Sequence, residues 1–285
     1  MFAQIHKIHA IILTHSHQDA MGGLDEVRNV QEWQNQQEDA HRFSNEQTAA
    51  MNDSACFSCL RRMPVYLTPF TYQQLCEKYK YIVDASRGPD KQTRKISRLR
   101  FNFLNVESPP IMLNESNKKI ILDAPLDSKI SPTNINGFPE MRFDGLVDFK
   151  VTAFPVWHGG GYVSLGFEFG ETQKIIYISD ISAFPPEVEK YLRSMQIHIL
   201  ILDTLHFEKK NSSHFNVADA LFWVQELQPE HVFFVGMHCD IEHEQGNKYL
   251  TDWLATRHIQ GLLKRVKSVE LGYDGLLIPT NFHVC

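Results

Sequence analysis

Residues 14–23 read THSHQDAMGG and follow directly on HAIIL (residues 9–13), a short apolar run with the character of a buried strand. His15, His17 and Asp19, in the pattern H-x-H-x-D, thus stand where a strand gives way to a glycine-containing turn. A single histidine in a turn is ordinarily a polar residue facing water. Two histidines and an aspartate at alternate positions behind an apolar strand point elsewhere, because imidazole and carboxylate converging from one turn are what a divalent cation binds.

The rest of the chain repeats that arrangement. Apolar runs rich in β-branched and aromatic residues close on groups able to hold a cation in FPVWHGG (154–160), IYISDIS (176–182), LILDTLH (200–206) and FFVGMHCD (233–240). Further runs, PVYLTP (64–69), LRFNFLNV (99–106), KKIILDA (118–124) and YVSLGFEFG (162–170), also read as strands. Helical patterns fall between them at 19–34, 71–83, 185–195, 216–227 and 247–257, and this alternation predicts a layered α/β fold. Chemistry in such folds collects at the carboxyl ends of strands, so His15, His17, Asp19, His158, Asp180 and His238 are the candidates to meet in space. Imidazole and carboxylate without thiolate suit Zn²⁺ first, and also Mn²⁺ or Fe.

Bulk properties bound the answer. With 285 residues the chain can bury a sizeable α/β core, and its net charge of −6 supplies no general field for nucleic acid or an anionic membrane. No run approaches the length of a membrane span and MFAQIHKIHA lacks the apolar core of a signal peptide, so a cytoplasmic protein is expected. Five cysteines without a regular framework fit a reducing compartment. Cys56 and Cys59 form one C-x-x-C with no second pair nearby and read as two ordinary thiols. The basic run 78–100 reads as a solvated face. Residues 34–56 are polar and aperiodic, a surface insertion, and 124–148, rich in Pro, Asn, Asp and Gly, read as a long surface loop.

Taken in order, HAIILTHSHQDAMGGLDEVR, FPVWHGGGYVSLGFEFG, IIYISDIS, LILDTLHF, SSHFNVADAL, FFVGMHCDIEHE and GYDGLLIP resemble the metallo-β-lactamase superfamily. The resemblance spans about residues 8–280 and is strongest to the branch that includes cyclic phosphodiesterases and uncharacterised eukaryotic hydrolases. It implies a single domain over 1–285 with a four-layer α/β/β/α sandwich. It also implies that His15, His17 and His158 form a first metal site, that Asp180 bridges two cations, and that Asp19 and His238 serve the second. His214, just ahead of the 216–227 helix, matches the position of a leaving-group proton donor, and Asp203 with Tyr273 or Asp274 would orient the ligands. From its residues alone, His214 reads equally well as a plain neighbour of Asn216, a good N-cap with Asp219 completing an approximate capping box.

Three departures from the family pattern bear on these expectations. Position 20, often histidine in the superfamily, is Ala20, which removes one imidazole from the second site. In GMHCD, ungapped alignment sets Cys239 on the ligand position, whereas a short hinge shift sets His238 there; either donor suits Zn²⁺. Only 14 residues precede His15, so the usual N-terminal strands are expected to be lacking and one sheet edge bare, open to pairing with a second copy as a homodimer. The resemblance therefore implies a metal-dependent hydrolase holding one or two Zn²⁺, cleaving a small phosphodiester with metal-activated water. The alternatives are a non-catalytic binding protein of the same fold and a tRNA-processing nuclease, the latter disfavoured by the acidic charge.

Overall fold

The computed structural model describes residues 8–34, 36, 62–87, 96–106, 119, 128–143 and 146–280. Cys56, Cys59, nearly all of the 34–56 insertion and, apart from Lys119, the strand expected at 118–124 lie outside them. By their contacts the residues fall into two compact units, one containing 4–105 and 113–131 and the other containing 132–285.

In the first unit β1 (Ile11–Ile12), β2 (Met63–Leu67), β3 (Leu99–Phe103) and β4 (Lys129–Ile130) form a parallel sheet in sequence order. Alternate residues of β2 and β3 (Val65, Leu67, Phe101, Phe103) are fully buried and pack with Met21, Tyr72 and Leu75 from the helices. The helical pattern at 19–34 is realised in three pieces, α1 (Gln18–Met21), a 3₁₀ segment (Gly22–Glu26) and α2 (27–34), since consecutive glycines at 22 and 23 are poor helix formers. Thr68 caps α3 (Pro69–Lys78) by accepting from Thr71 N–H at 3.1 Å, with Pro69 at the first helical position. The single helix expected over 71–83 breaks at Tyr79 and resumes as α4 (Lys80–Arg87).

The second unit holds a seven-stranded sheet in the order β11-β10-β9-β8-β7-β6-β5. Its strands are β5 (Glu140–Phe143), β6 (Leu146–Trp157), β7 (Val163–Phe169), β8 (Lys174–Ile178), β9 (Ile197–Asp203), β10 (His231–Val235) and β11 (Ser268–Leu271). β5 to β8 pair antiparallel and β8 to β11 parallel. Helices α5 (Pro186–Arg193), α6 (Val217–Leu227) and α7 (His243–Ile259) contribute Val188, Leu192, Val224 and Leu250 to a core with Phe154, Ile178, Leu202 and Phe234. Two antiparallel steps separate β6 from β8, so the two run the same way. The carboxyl ends of β6, β8, β9 and β10 therefore share one edge of the sheet, and the motifs FPVWHGG, IYISDIS, LILDTLH and FFVGMHCD open there.

The molecule is thus mixed α/β with two sheets and flanking helices. The loop expected over 124–148 is corrected, since β4, β5 and the start of β6 fall inside it. β11, only four residues long, was not foreseen.

Candidate metal centre

In the first unit the ladder carries one residue past β1, with Leu13 N–H donating to the Tyr66 carbonyl at 2.9 Å, and the chain then turns. His15 is buried, whereas His17 and Asp19 are exposed. His15 Nε2 lies 3.0 Å from His17 Nδ1, the rings meeting edge to face, and the Thr14 hydroxyl lies 2.8 Å from His15 Nδ1. His17 occupies the N-cap of α1 yet its side chain makes no capping bond. Two donors on one tetrahedral cation with bonds of about 2.0 Å lie about 3.3 Å apart, so this pair is spaced as co-ligands are. Lys78 Nζ donates to the Ser16 carbonyl at 3.1 Å and pins the turn from α3.

In the second unit His158, Asp180 and His214 each offer a ligand atom within 4.8 Å of the others. His158 follows β6 and is almost fully buried. Its Nδ1–H donates to the Ser213 carbonyl at 2.8 Å, which fixes the tautomer and makes Nε2 the lone-pair nitrogen, 4.0 Å from Asp180 Oδ1. An imidazole held by a carbonyl on its far side is how metal-ligating histidines are oriented. Asp180, two residues past β8, also accepts from the Ser179 hydroxyl. His214 Nδ1–H donates to Asp203 Oδ2 at 2.9 Å, and its ring meets that of His158 edge to face at 4.7 Å between centroids.

Asp203 ends β9 with 1% exposure. Burial pushes its carboxyl up to about 6, against the opposing pull of the hydrogen bonds from His214 and from the Ile181 N–H. Gly236, at φ +77°, comes so close that a Cβ there would lie 3.2 Å from Asp203 Oδ1. Oδ1 is buried and, among the described residues, lacks a hydrogen-bond partner. The donor set, two tautomer-fixed imidazoles beside a carboxylate, fits a first-row divalent cation.

His238 lies beyond the end of β10, where its ring groups with His206 and Asp240. Cys239 is exposed, its Sγ 3.7 Å from His238 Nδ1. Tyr273 is exposed and packs against His243. Sequence reasoning missed His206 and Asp240 as donors, although both close strand-end blocks that it had marked.

A family model described as "Beta-lactamase superfamily domain" matches residues 2–237. No curated protein matches the sequence. Among solved structures, a diphosphatase from the PhnP family is similar at 21% identity and a TM-score of 0.56, over 95% of this chain and 70% of that one. Human short-form tRNase Z is similar at 13% identity and 0.51, over 96% and 80%. Zn²⁺-bound PqqB from Methylobacterium extorquens is similar at 12% and 0.52, over 97% and 75%. At these identities the likeness is one of fold. Among the described residues no helix is long and apolar enough to cross a membrane.

Proposed function

The chain belongs to the metallo-β-lactamase superfamily, and from that premise we propose that it is a metal-dependent hydrolase whose substrates are phosphodiesters. The reading assigns cation binding to His15, His17 and Asp19 behind β1 and to His158 and Asp180 behind β6 and β8, with Zn²⁺ as the preferred ion. Bound there, a divalent cation supplies a nucleophile at neutral pH and offsets charge on a phosphoryl oxygen. Asp180, acidic and short, is suited to hold one ion or bridge two; the absence of an imidazole at Ala20 leaves the second position with fewer donors.

The observation that carries the reading is the His214–Asp203 pair beside His158 and Asp180. Asp203 accepts a hydrogen bond from the Nδ1–H of His214, so Nε2 is the nitrogen that exchanges a proton with the substrate. A proton delivered from Nε2 to the departing oxygen relieves charge that a poor leaving group cannot carry. Burial of Asp203 keeps water from competing for that hydrogen bond, and the Ile181 N–H holds the carboxylate from the other side.

Replacing His214 with alanine separates proton donation from the rest of the machinery. Turnover on alkyl phosphodiesters should fall by about 10²–10⁴-fold, and on p-nitrophenyl diesters, whose leaving group departs unprotonated, by much less. Equal losses on both would remove the proton-donor role.

A further inference from the structure

A different chemistry gathers at the other edge of the larger sheet. α7 ends at Ile259, and the chain reverses through Gln260 and Gly261 before entering β11 at Ser268. Gly261, at φ +70°, closes the helix: its N–H donates to the His258 carbonyl at 2.9 Å, and Leu262 N–H donates to the Arg257 carbonyl at 3.0 Å. β10 and β11 are parallel with His231 opposite Ser268, and Lys267 N–H donates to the Glu230 carbonyl at 2.7 Å. The 260–267 loop therefore sits at the amino ends of these strands, whereas His158 and Asp180 follow carboxyl ends.

Residues 257–267, RHIQGLLKRVK, carry Arg257, Lys264, Arg265 and Lys267 and no carboxylate, a local reversal within a chain of net charge −6. Buried Leu263 and Val266 root the loop in the core, and the two ring nitrogens of His258 lie 3.1 Å and 2.9 Å from their carbonyl oxygens, bracing it against the last turn of α7. Ile259 and Leu262 turn outward instead, 88% and 42% exposed. His258, Lys264, Arg265 and Lys267 line a cleft of about 520 Å³ together with Glu230, which pairs with Lys267 at 2.6 Å and with Arg265 at 3.7 Å. Arg257, stacked over the Trp253 ring at 5.8 Å, and Lys264 have no carboxylate partner among the described residues, so the tip stays net positive.

We propose that this tip docks on an anionic phospholipid surface, with the side chains of Ile259 and Leu262 entering the interface while Lys264, Arg265 and Lys267 meet headgroup phosphates. Aliphatic residues at a turn, rimmed by cations, suit a lipid interface because apolar burial and attraction to anionic headgroups act together there. A nucleic acid would engage the same cations but gains nothing from two exposed aliphatics, since its bases stack on aromatic rings. The braced loop is already ordered, so docking costs little conformational entropy. In this orientation the sheet edge that carries His158 and Asp180 faces away from the lipid.

The test is sedimentation of the whole chain with vesicles of phosphatidylcholine alone or with about 30% phosphatidylserine, for wild type, Ile259→Ser/Leu262→Ser and Lys264→Gln/Lys267→Gln. All four positions are exposed, so both variants stay folded, which circular dichroism verifies. Wild type should partition to the phosphatidylserine vesicles and not to phosphatidylcholine, and should be released in about 0.5 M NaCl. Each variant should bind the anionic vesicles at least about tenfold more weakly. Hydrolysis of p-nitrophenyl phosphodiesters in solution should stay within about twofold in both, because neither changes the assigned centre. No partition of wild type to the anionic vesicles, or equal partition of wild type and either variant, overturns the proposal. Binding of single-stranded DNA that displaces the vesicles and survives Ile259→Ser/Leu262→Ser also overturns it, since the tip would then be a nucleic-acid surface. Vesicle binding is read without reference to turnover, so the docking surface and the hydrolytic reading stand or fall separately.

Discussion

Asp203 is a carboxylate held where its surroundings disfavour charge, and that has a measurable consequence. Its folded pKa of about 6 lies above the ordinary 3.8, so its contribution to stability is complete below about pH 4 and is lost as pH rises through about 6. Over that window chelated wild-type protein should lose about 3 kcal/mol relative to Asp203→Asn, which cannot titrate. Urea melts of both proteins at pH 4 and pH 7 measure this, and parallel losses would refute it. The same substitution should lower turnover, because an amide holds His214 less firmly than a carboxylate does. His214 illustrates how far single residues could be read. Its neighbour Asn216 does cap α6, accepting from Asp219 N–H at 2.9 Å, while His214 pairs with Asp203, so the cap and the proposed proton donor are different residues. The family resemblance gave His238 to a second cation together with Asp19, whereas the closeness of His206 to His238 comes from the register of β9 against β10, which no local pattern encodes.

Among the elements, those that were legible are the ones with a strong apolar signal and clear punctuation. β7 to β10 are long apolar runs, and α6 begins at a capping box, whose loss in Asn216→Ala should cost about 1 kcal/mol by thermal denaturation. β4 escaped notice because both its residues are exposed and it is held by pairing to β3 alone. The breaks at Gly22 and Tyr79 were hidden by apolar periodicity that continues across them. Close packing within the larger sheet is tested at Gly166 of β7. A Cβ there would come within 2.7 Å of the Phe154 ring tip, and Phe154 is fully buried. Gly166→Ala should therefore destabilise the fold by about 1–3 kcal/mol, and a neutral effect would show that the β6–β7 face is looser than described.

Across the whole molecule, the family was readable because several strand-end motifs occur in one order, each modest alone. The mixed α/β architecture followed from the same alternation. What the motifs could not supply was the grouping of donors within the sheet edge, since this depends on strand order 10-9-8-7-6 and on the direction of each strand. The central claim is that donors behind β1, β6 and β8 serve metal-dependent hydrolysis. The most direct measurement is hydrolysis of bis(p-nitrophenyl) phosphate by chelated protein to which Zn²⁺ or Mn²⁺ is returned, for wild type, His17→Ala and Asp180→Ala. The account predicts that chelated wild type is inactive, that the ion restores it, and that neither folded variant is restored at the same ion concentration. Restoration of both variants to the wild-type rate, or no activity in folded wild type with either ion, would contradict it.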